Sequence, residues 1–297
     1  VKQILALIAA LGLALSSSAQ VSKLNGFTVN TTSYINGFQV SAINGFTIPG
    51  GGWTPASEAS LVSWYDASTA TTAGGGTYSG NFTNGANVGI SGTTPIYDNA
   101  PGHSYSLTNS VNVAPLTYST NVQNSQNVFV GTGSTSFAPN TGGYSASTFP
   151  YILVGVTEIP TVNGGLLGSS NQGGLSFGIN ISGGVGAVYY NKSAEVGGPS
   201  STTTMSEGTW HTYVLVVTSS TYAYYIDGSA AGNGTNSISL TAGCTFVLAS
   251  DCWGDGQVFE SDIGEAQVYA GSIPTGGALT TLLANIHTYC STKWGTP

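Results

Sequence analysis

From residue 53 onward the chain repeats one pattern, and that pattern allows few folds. Short runs rich in β-branched and aromatic residues are separated by clusters of Gly, Ser, Asn and Thr. The run "TFPYILVGVT" (148–157) is almost continuously apolar, as a strand buried on both faces must be, and is expected at the centre of a sheet. "TWHTYVLVV" (209–217) and "TYAYYIDG" (221–228) follow each other closely. Asp227-Gly228 is a strong hairpin signal, because tight hairpin turns require φ > 0. "CTFVLAS" (244–250) and "FESDIGEAQVYA" (259–270) complete the series. No helical period intervenes, so the expected class is all-β: an antiparallel two-sheet jelly-roll sandwich. A 3.6-residue period enters only at the end. In "GGALTTLLANIHTYCSTKWG", Leu279, Leu282, Leu283, Ile286 and Cys290 share one stripe, which predicts one C-terminal helix lying across the sandwich.

Charge narrows the partners. Only 5% of the 297 residues are charged, net charge is −8, and the cations are Lys2, Lys23, Lys192 and Lys293, with no arginine. A nucleic-acid partner is excluded, because neutralising phosphates needs clustered cations. With 16 Tyr and 10 Phe the chain has a core to bury. A surface of hydroxyls and amides suits an extracellular protein of a cell surface or virion better than a cytosolic one.

The first 19 residues read as a secretory signal peptide. Lys2 precedes an apolar run over 4–15, and Ser17 and Ala19 are the small residues before a cut. The alternative is a retained hydrophobic helix that anchors the chain. Nothing later is apolar enough to span a membrane. Residues 20–52 hold three echoes, "LNGFTV", "INGFQV" and "INGFTI", and a Gly-rich hinge. Each echo sets an Asn-Gly turn signal between apolar residues and is too small to bury them alone. It either stacks, including on copies in a homo-oligomer formed through residues 21–48, or serves as an extended linker. The globular domain is expected over 53–297. Cys244 and Cys252 flank a strand whose straight ends lie too far apart for a disulfide, so Cys252 with Cys290 is the preferred pair.

Glu260, Asp262 and Glu265 form E-x-D-x-x-E on the last strand. Strict alternation sets Glu265 on the opposite face from the other two. A β-bulge at Ile263-Gly264-Glu265 restores parity. Ser261, Ile263, Ala266 and Val268 then face the core, and Glu260, Asp262, Glu265, Gln267 and Tyr269 face away, toward a groove. Further upstream, "SDCWGDGQ" (250–257) carries Asp251 and Asp255 on a Gly-bearing loop, oxygen ligands suited to Ca²⁺. Trp253 on the same loop offers an aromatic face to a sugar ring. Trp64 and Trp210 are expected in the core, and Asp66 and Asp227 as turn residues that accept backbone N–H bonds. His103, His211 and His287 have no zinc-site spacing.

Four motifs in order resemble the concanavalin A-like lectin/glucanase superfamily, in its laminin-G-like branch: "LVSWYDAS" (61–68), "WHTYVLVV" leading to "YYIDG", "DIGEAQVY" (262–269) and "LLANIHTYCSTKWG". The resemblance spans roughly residues 53–295. It implies a jelly roll that hosts lectins, adhesion modules, glycosidases and virion proteins. Calcium is an expectation of the same branch. The acidic strand also resembles family-16 glycoside hydrolases, which implies Glu260 as nucleophile, Asp262 as its hydrogen-bonding neighbour and Glu265 as general acid/base. Against that, the motif lies close to the C-terminus, and "DIGE" suits the non-catalytic branch equally. The favoured expectation is a non-catalytic module that binds carbohydrate or another protein surface, with Trp253, Asp251 and Asp255 at the contact. The alternatives are a glycosidase and a structural decoration or fibre protein.

Overall fold

The structure is a computed structural model of the 297-residue chain. It describes residues 53–69, 84, 87–88, 95–103, 105–107, 116–131, 143–146, 148–169, 175–192, 199–240, 244–249 and 261–297, and four two-residue strands between 34 and 47. The chain divides after Thr54 into two units. In the first, β1 (Tyr34–Ile35) pairs with β2 (Phe38–Gln39), and β3 (Ala42–Ile43) with β4 (Phe46–Thr47). Ile35 opposes Phe38 and Ile43 opposes Phe46, so an Asn-Gly lies between each pair.

The second unit carries β5 (Leu61–Asp66), β6 (Asn87–Val88), β7 (Leu116–Gln123), β8 (Gln126–Val130), β9 (Ser145–Ala146), β10 (Tyr151–Glu158), β11 (Gly164–Ser169), β12 (Leu175–Ser182), β13 (Val185–Lys192), β14 (Met205–Ser206), β15 (Trp210–Val217), β16 (Thr221–Ile226), β17 (Ser229–Thr235), β18 (Cys244–Leu248) and β19 (Asp262–Ala270), then the helix α1 (Gly276–Trp294). All strand pairings between these are antiparallel. One sheet runs β17-β16-β15-β10-β19-β8-β7-β6, with β5 also on β19; the other runs β14-β13-β12-β11-β18-β9. This is the expected two-sheet sandwich with a C-terminal helix.

The apolar run at 148–157 is central, as its composition requires: β10 lies between β15 and β19. Leu153, Tyr213, Leu215, Ile263, Ala266 and Val268 join Phe177, Ile179 and Phe246 of the second sheet in one core. The alternate residues Ile152, Val154, Gln267 and Tyr269 are buried too, although they face away from that core. α1 covers them. Leu282, Ile286, Cys290 and Trp294 are its buried stripe, each at most 2% exposed, and each such side chain contributes about 1.5–3 kcal/mol. Leu279 and Leu283 are half-buried. The helix ends on Gly295 in the left-handed region (φ 69°), whose N–H donates to the Ser291 carbonyl.

The bulge on β19 is where spacing predicts it. Val156 pairs with Glu265 but Thr157 with Ile263, which leaves Gly264 as the extra residue. Glycine is needed there because a Cβ would stand 2.8 Å from the Trp294 ring. Gly264→Ala should therefore cost about 1–3 kcal/mol by overpacking, read from urea unfolding; an unchanged midpoint would mean that the helix yields freely.

Cys290 is a free thiol on the buried face of α1. The preferred Cys252–Cys290 disulfide is therefore not formed. The helix turns this sulfur inward, where burial pushes the thiol well above its usual range. Among the described residues, no helix is long and apolar enough to cross a membrane.

Candidate functional site

The acidic strand divides its carboxylates between different environments. Parity after the bulge sets Glu265 on the face away from the core, but that face lies under α1 and not in a groove. Glu265 is 0% exposed. Its Oε1 accepts from Trp64 Nε1 (2.6 Å) and Gln267 Nε2 (2.7 Å). Its Oε2 accepts from Trp294 Nε1 (2.9 Å), Lys293 Nζ (2.9 Å) and the Tyr289 hydroxyl (3.3 Å). Lys293 also donates to Asp66 and to the Tyr289 oxygen. Burial pushes the Glu265 carboxyl up, against the pull of the Lys293 charge. For Lys293 burial works downward, but the Glu265 and Asp66 charges outweigh it and hold the ammonium above the usual lysine value. A general acid must reach the glycosidic oxygen. Glu265, enclosed by five donors, instead fastens the helix to β19 and β5.

Asp262 is half-buried at the start of β19, and Glu158 sits at the end of the neighbouring β10. Burial first, then the Glu158 charge, pushes the Asp262 carboxyl from 3.8 up to about 6. Burial raises Glu158 as well. The fold thus favours protonated Asp262. That contribution is complete below the ordinary value and is lost as pH rises through about 6. Asp262→Asn should gain stability relative to wild type between about pH 4 and pH 7, seen as diverging urea midpoints; parallel midpoints would overturn the assignment. Glu260, Asp251, Trp253 and Asp255 lie outside the described residues. Among the described residues, no three His, Cys, Asp or Glu side chains are grouped to hold a metal ion.

Trp64 is 9% exposed and Trp210 is half-buried, stacked on Trp294 (centroids 6.3 Å, planes 2° apart). Asp66 accepts from Ser68 N and Oγ, as a turn residue does, and in addition holds Lys293.

A second cluster was not anticipated. A cleft of about 450 Å³ opens where β14 of one sheet meets β15, β16 and β17 of the other. Thr203, Thr204, Ser206, Thr209 and Ser229 line it, with His211 and Asp227 and the apolar Met205 and Ile226. The hairpin turn builds its wall. Asp227 (φ 48°) and Gly228 (φ 74°) are both left-handed, and a Cβ on Gly228 would stand 2.8 Å from the His287 ring. Asp227 Oδ1 accepts from Thr212 N (2.9 Å), and Oδ2 lies 2.5 Å from His211 Nδ1. His211 Nε2 lies 2.9 Å from Thr209 Oγ1.

Thr209, His211 and Asp227 line up in the order of a hydroxyl, an imidazole and an orienting acid. Thr209 has one hydroxyl proton and donates it to the Ser206 carbonyl (2.6 Å). His211 thus bridges Thr209 and the Asp227 carboxylate, and the Thr209 hydroxyl is already engaged with a backbone carbonyl. The Asp-Gly turn signal was enough to find its wall: once 227–228 is the turn, antiparallel pairing brings the 211–213 segment beside Asp227. The contribution of residues 203–206, from the other sheet, had no such signal.

The family model of the concanavalin A-like lectin/glucanases superfamily matches residues 123–274, just over half of the chain. Among solved structures, the chain is similar to domain 4 of AbnA, a GH43 extracellular arabinanase from Geobacillus stearothermophilus, in complex with arabinotriose. Identity is 16% and TM-score 0.40, over 75% of this chain and 98% of that one. It is similar to Trypanosoma rangeli sialidase at 11% identity and TM-score 0.45, over 86% of this chain but 36% of the sialidase. A third is the CBM40 of Ruminococcus gnavus IT-sialidase bound to α2,3-sialyllactose, at 12% identity and TM-score 0.36, over 46% of this chain and 83% of that one. None of the curated proteins matches the sequence. The family match runs from the end of β7 through β19, across both sheets of the sandwich, and the chain belongs to the concanavalin A-like lectin/glucanase superfamily.

Proposed function

We propose that this chain is a non-catalytic carbohydrate-binding module displayed outside the cell or on a particle, and that the cleft beside His211 receives the sugar. The cleft carries the reading. Its hydroxyl-bearing residues supply donors and acceptors, Asp227 adds an acceptor, and Met205 and Ile226 supply apolar surface for the C–H face of a sugar ring. Its volume lies within the range of about 300–1,000 Å³ typical of small-ligand sites. The non-catalytic part rests on Glu265, whose carboxylate is engaged with α1, and on the Thr209 hydroxyl, which is engaged with the Ser206 carbonyl. A charge-poor surface and the signal-like residues 1–19 support display. Within the same proposal, Asp251 and Asp255 would take calcium, Trp253 would offer its ring to a sugar, and the Asn-Gly hairpins would attach or oligomerise the chain.

A glycan array followed by titration calorimetry tests it. Thr209→Val and Ser229→Ala should each weaken the best glycan about 2–10-fold, the worth of one neutral hydrogen bond, with no hydrolysis products. An EDTA arm reads the calcium part. Binding untouched by both substitutions, or turnover of the glycan, would overturn the reading.

A further inference from the structure

The cluster beneath α1 contains more chemistry than a helix anchor requires. Lys293 Nζ is in contact with the Asp66 carboxylate and lies 2.9 Å from Glu265 Oε2. The Asp66 and Glu265 side chains are 0% exposed, and that of Lys293 is 15% exposed. The rings of Trp64, Tyr289 and Trp294 stand with centroids 5.9, 5.3 and 5.1 Å from Nζ. An amine, a carboxyl group against it and a second carboxyl within reach of the amine are therefore held together, largely away from water. Only four lysines occur in the chain, and this one is used here.

We propose that Lys293 and Asp66 condense into an intramolecular amide, with Glu265 carrying the protons. Two features of the site favour it. The Asp66 and Glu265 charges hold Lys293 as the ammonium, so its proton must be given up inside the cluster, and the burial that raises Glu265 makes it a carboxyl able to hold a proton. Juxtaposition supplies the rest: effective molarities for well-placed intramolecular groups reach about 10⁵–10⁸ M.

The step balances without any other reactant. The ammonium passes one proton to the Asp66 carboxylate, giving amine and carboxylic acid. The Nζ lone pair attacks Cγ of Asp66 and forms the Nζ–Cγ bond. Glu265 takes a second proton from Nζ and returns it to the departing hydroxyl. The Cγ–Oδ2 bond breaks, one water leaves, and Glu265 ends as it began. Nothing is oxidised or reduced.

The bond would join β5 to the last turn of α1, 227 residues away. The second unit would then be closed on itself covalently. A closed loop of this size restricts the unfolded chain, which suits a displayed module exposed to proteases and force. The inference is independent of what the cleft binds.

Intact-mass spectrometry of the folded, purified full chain tests it under denaturing conditions. The expected mass is one water below that of the sequence. Proteolysis should yield one branched peptide joining the segments around residues 66 and 293. Lys293→Arg keeps the charge but cannot form this bond, and should show the full mass. Glu265→Gln should show the full mass or a slow, partial loss; a complete loss of water at the wild-type rate in a folded Glu265→Gln chain would remove Glu265 from the step. A wild-type chain at full mass overturns the proposal, and so does a loss of water that persists in Lys293→Arg. The bond forms only in the folded chain, so circular dichroism must show each variant folded before its mass is read.

Discussion

Glu265→Ala is expected to lower the unfolding free energy of the chain with Lys293 and Asp66 unjoined by about 3–5 kcal/mol, the usual cost of removing one partner from a buried charge pair. The mechanism is specific. The substitution leaves the indole N–H groups of Trp64 and Trp294 without their acceptor, and leaves Lys293 with Asp66 alone. Orphaned buried donors lose their water without regaining a partner. For a folded unit of this size each kcal/mol moves the melting temperature by about 2–4 °C, so a drop on the order of 10 °C should appear in calorimetry. A shift of a degree or two would mean that the network contributes nothing net and that apolar packing alone holds α1. Substitution of an exposed residue such as Ser272 is the control, with changes within about 0.5 kcal/mol.

Trp294→Ala should cost about 3–5 kcal/mol, the range for deleting a buried aromatic ring. Trp294 is 0% exposed, stacks on Trp210 and donates to Glu265. Two combinations sharpen the test. With Glu265→Ala, the double variant should lose less than the sum of the single losses, because the two residues share one hydrogen bond. With Gly264→Ala, the added methyl should become nearly neutral, since the ring it would strike is gone. Strict additivity in both, measured by urea unfolding, would show that Trp294 does not pack where the structure has it.

Much of this arrangement could be read from local spacing. The bulge at Gly264 follows from counting faces along one strand. The turn at Asp227-Gly228 follows from two residues with a shared taste for φ > 0. The stripe Leu282, Ile286, Cys290 follows from a period of 3.6, and one further step of four reaches Trp294. What the counting did not reveal is what lies above the far face of β19. Parity set Glu265 away from the core, and an uncovered face would make it a groove acid. The helix covers that face, so the same residue becomes an anchor. His211 looked isolated for a similar reason. Its partner Asp227 is on the next hairpin, and the cleft it borders needs residues 203–206 from the second sheet.

Strand, turn and helix are matters of near neighbours: alternation, a left-handed dipeptide and an amphipathic period each act within a few residues, and the linear chain states them openly. The anchor of Trp64, Asp66, Glu265 and Lys293 and the cleft between the sheets belong to a different class. Trp64 meets Glu265 across 201 residues and Asp66 meets Lys293 across 227. Such meetings follow from which strands become neighbours and where the last helix comes to rest, and that is settled by how all the buried side chains pack together.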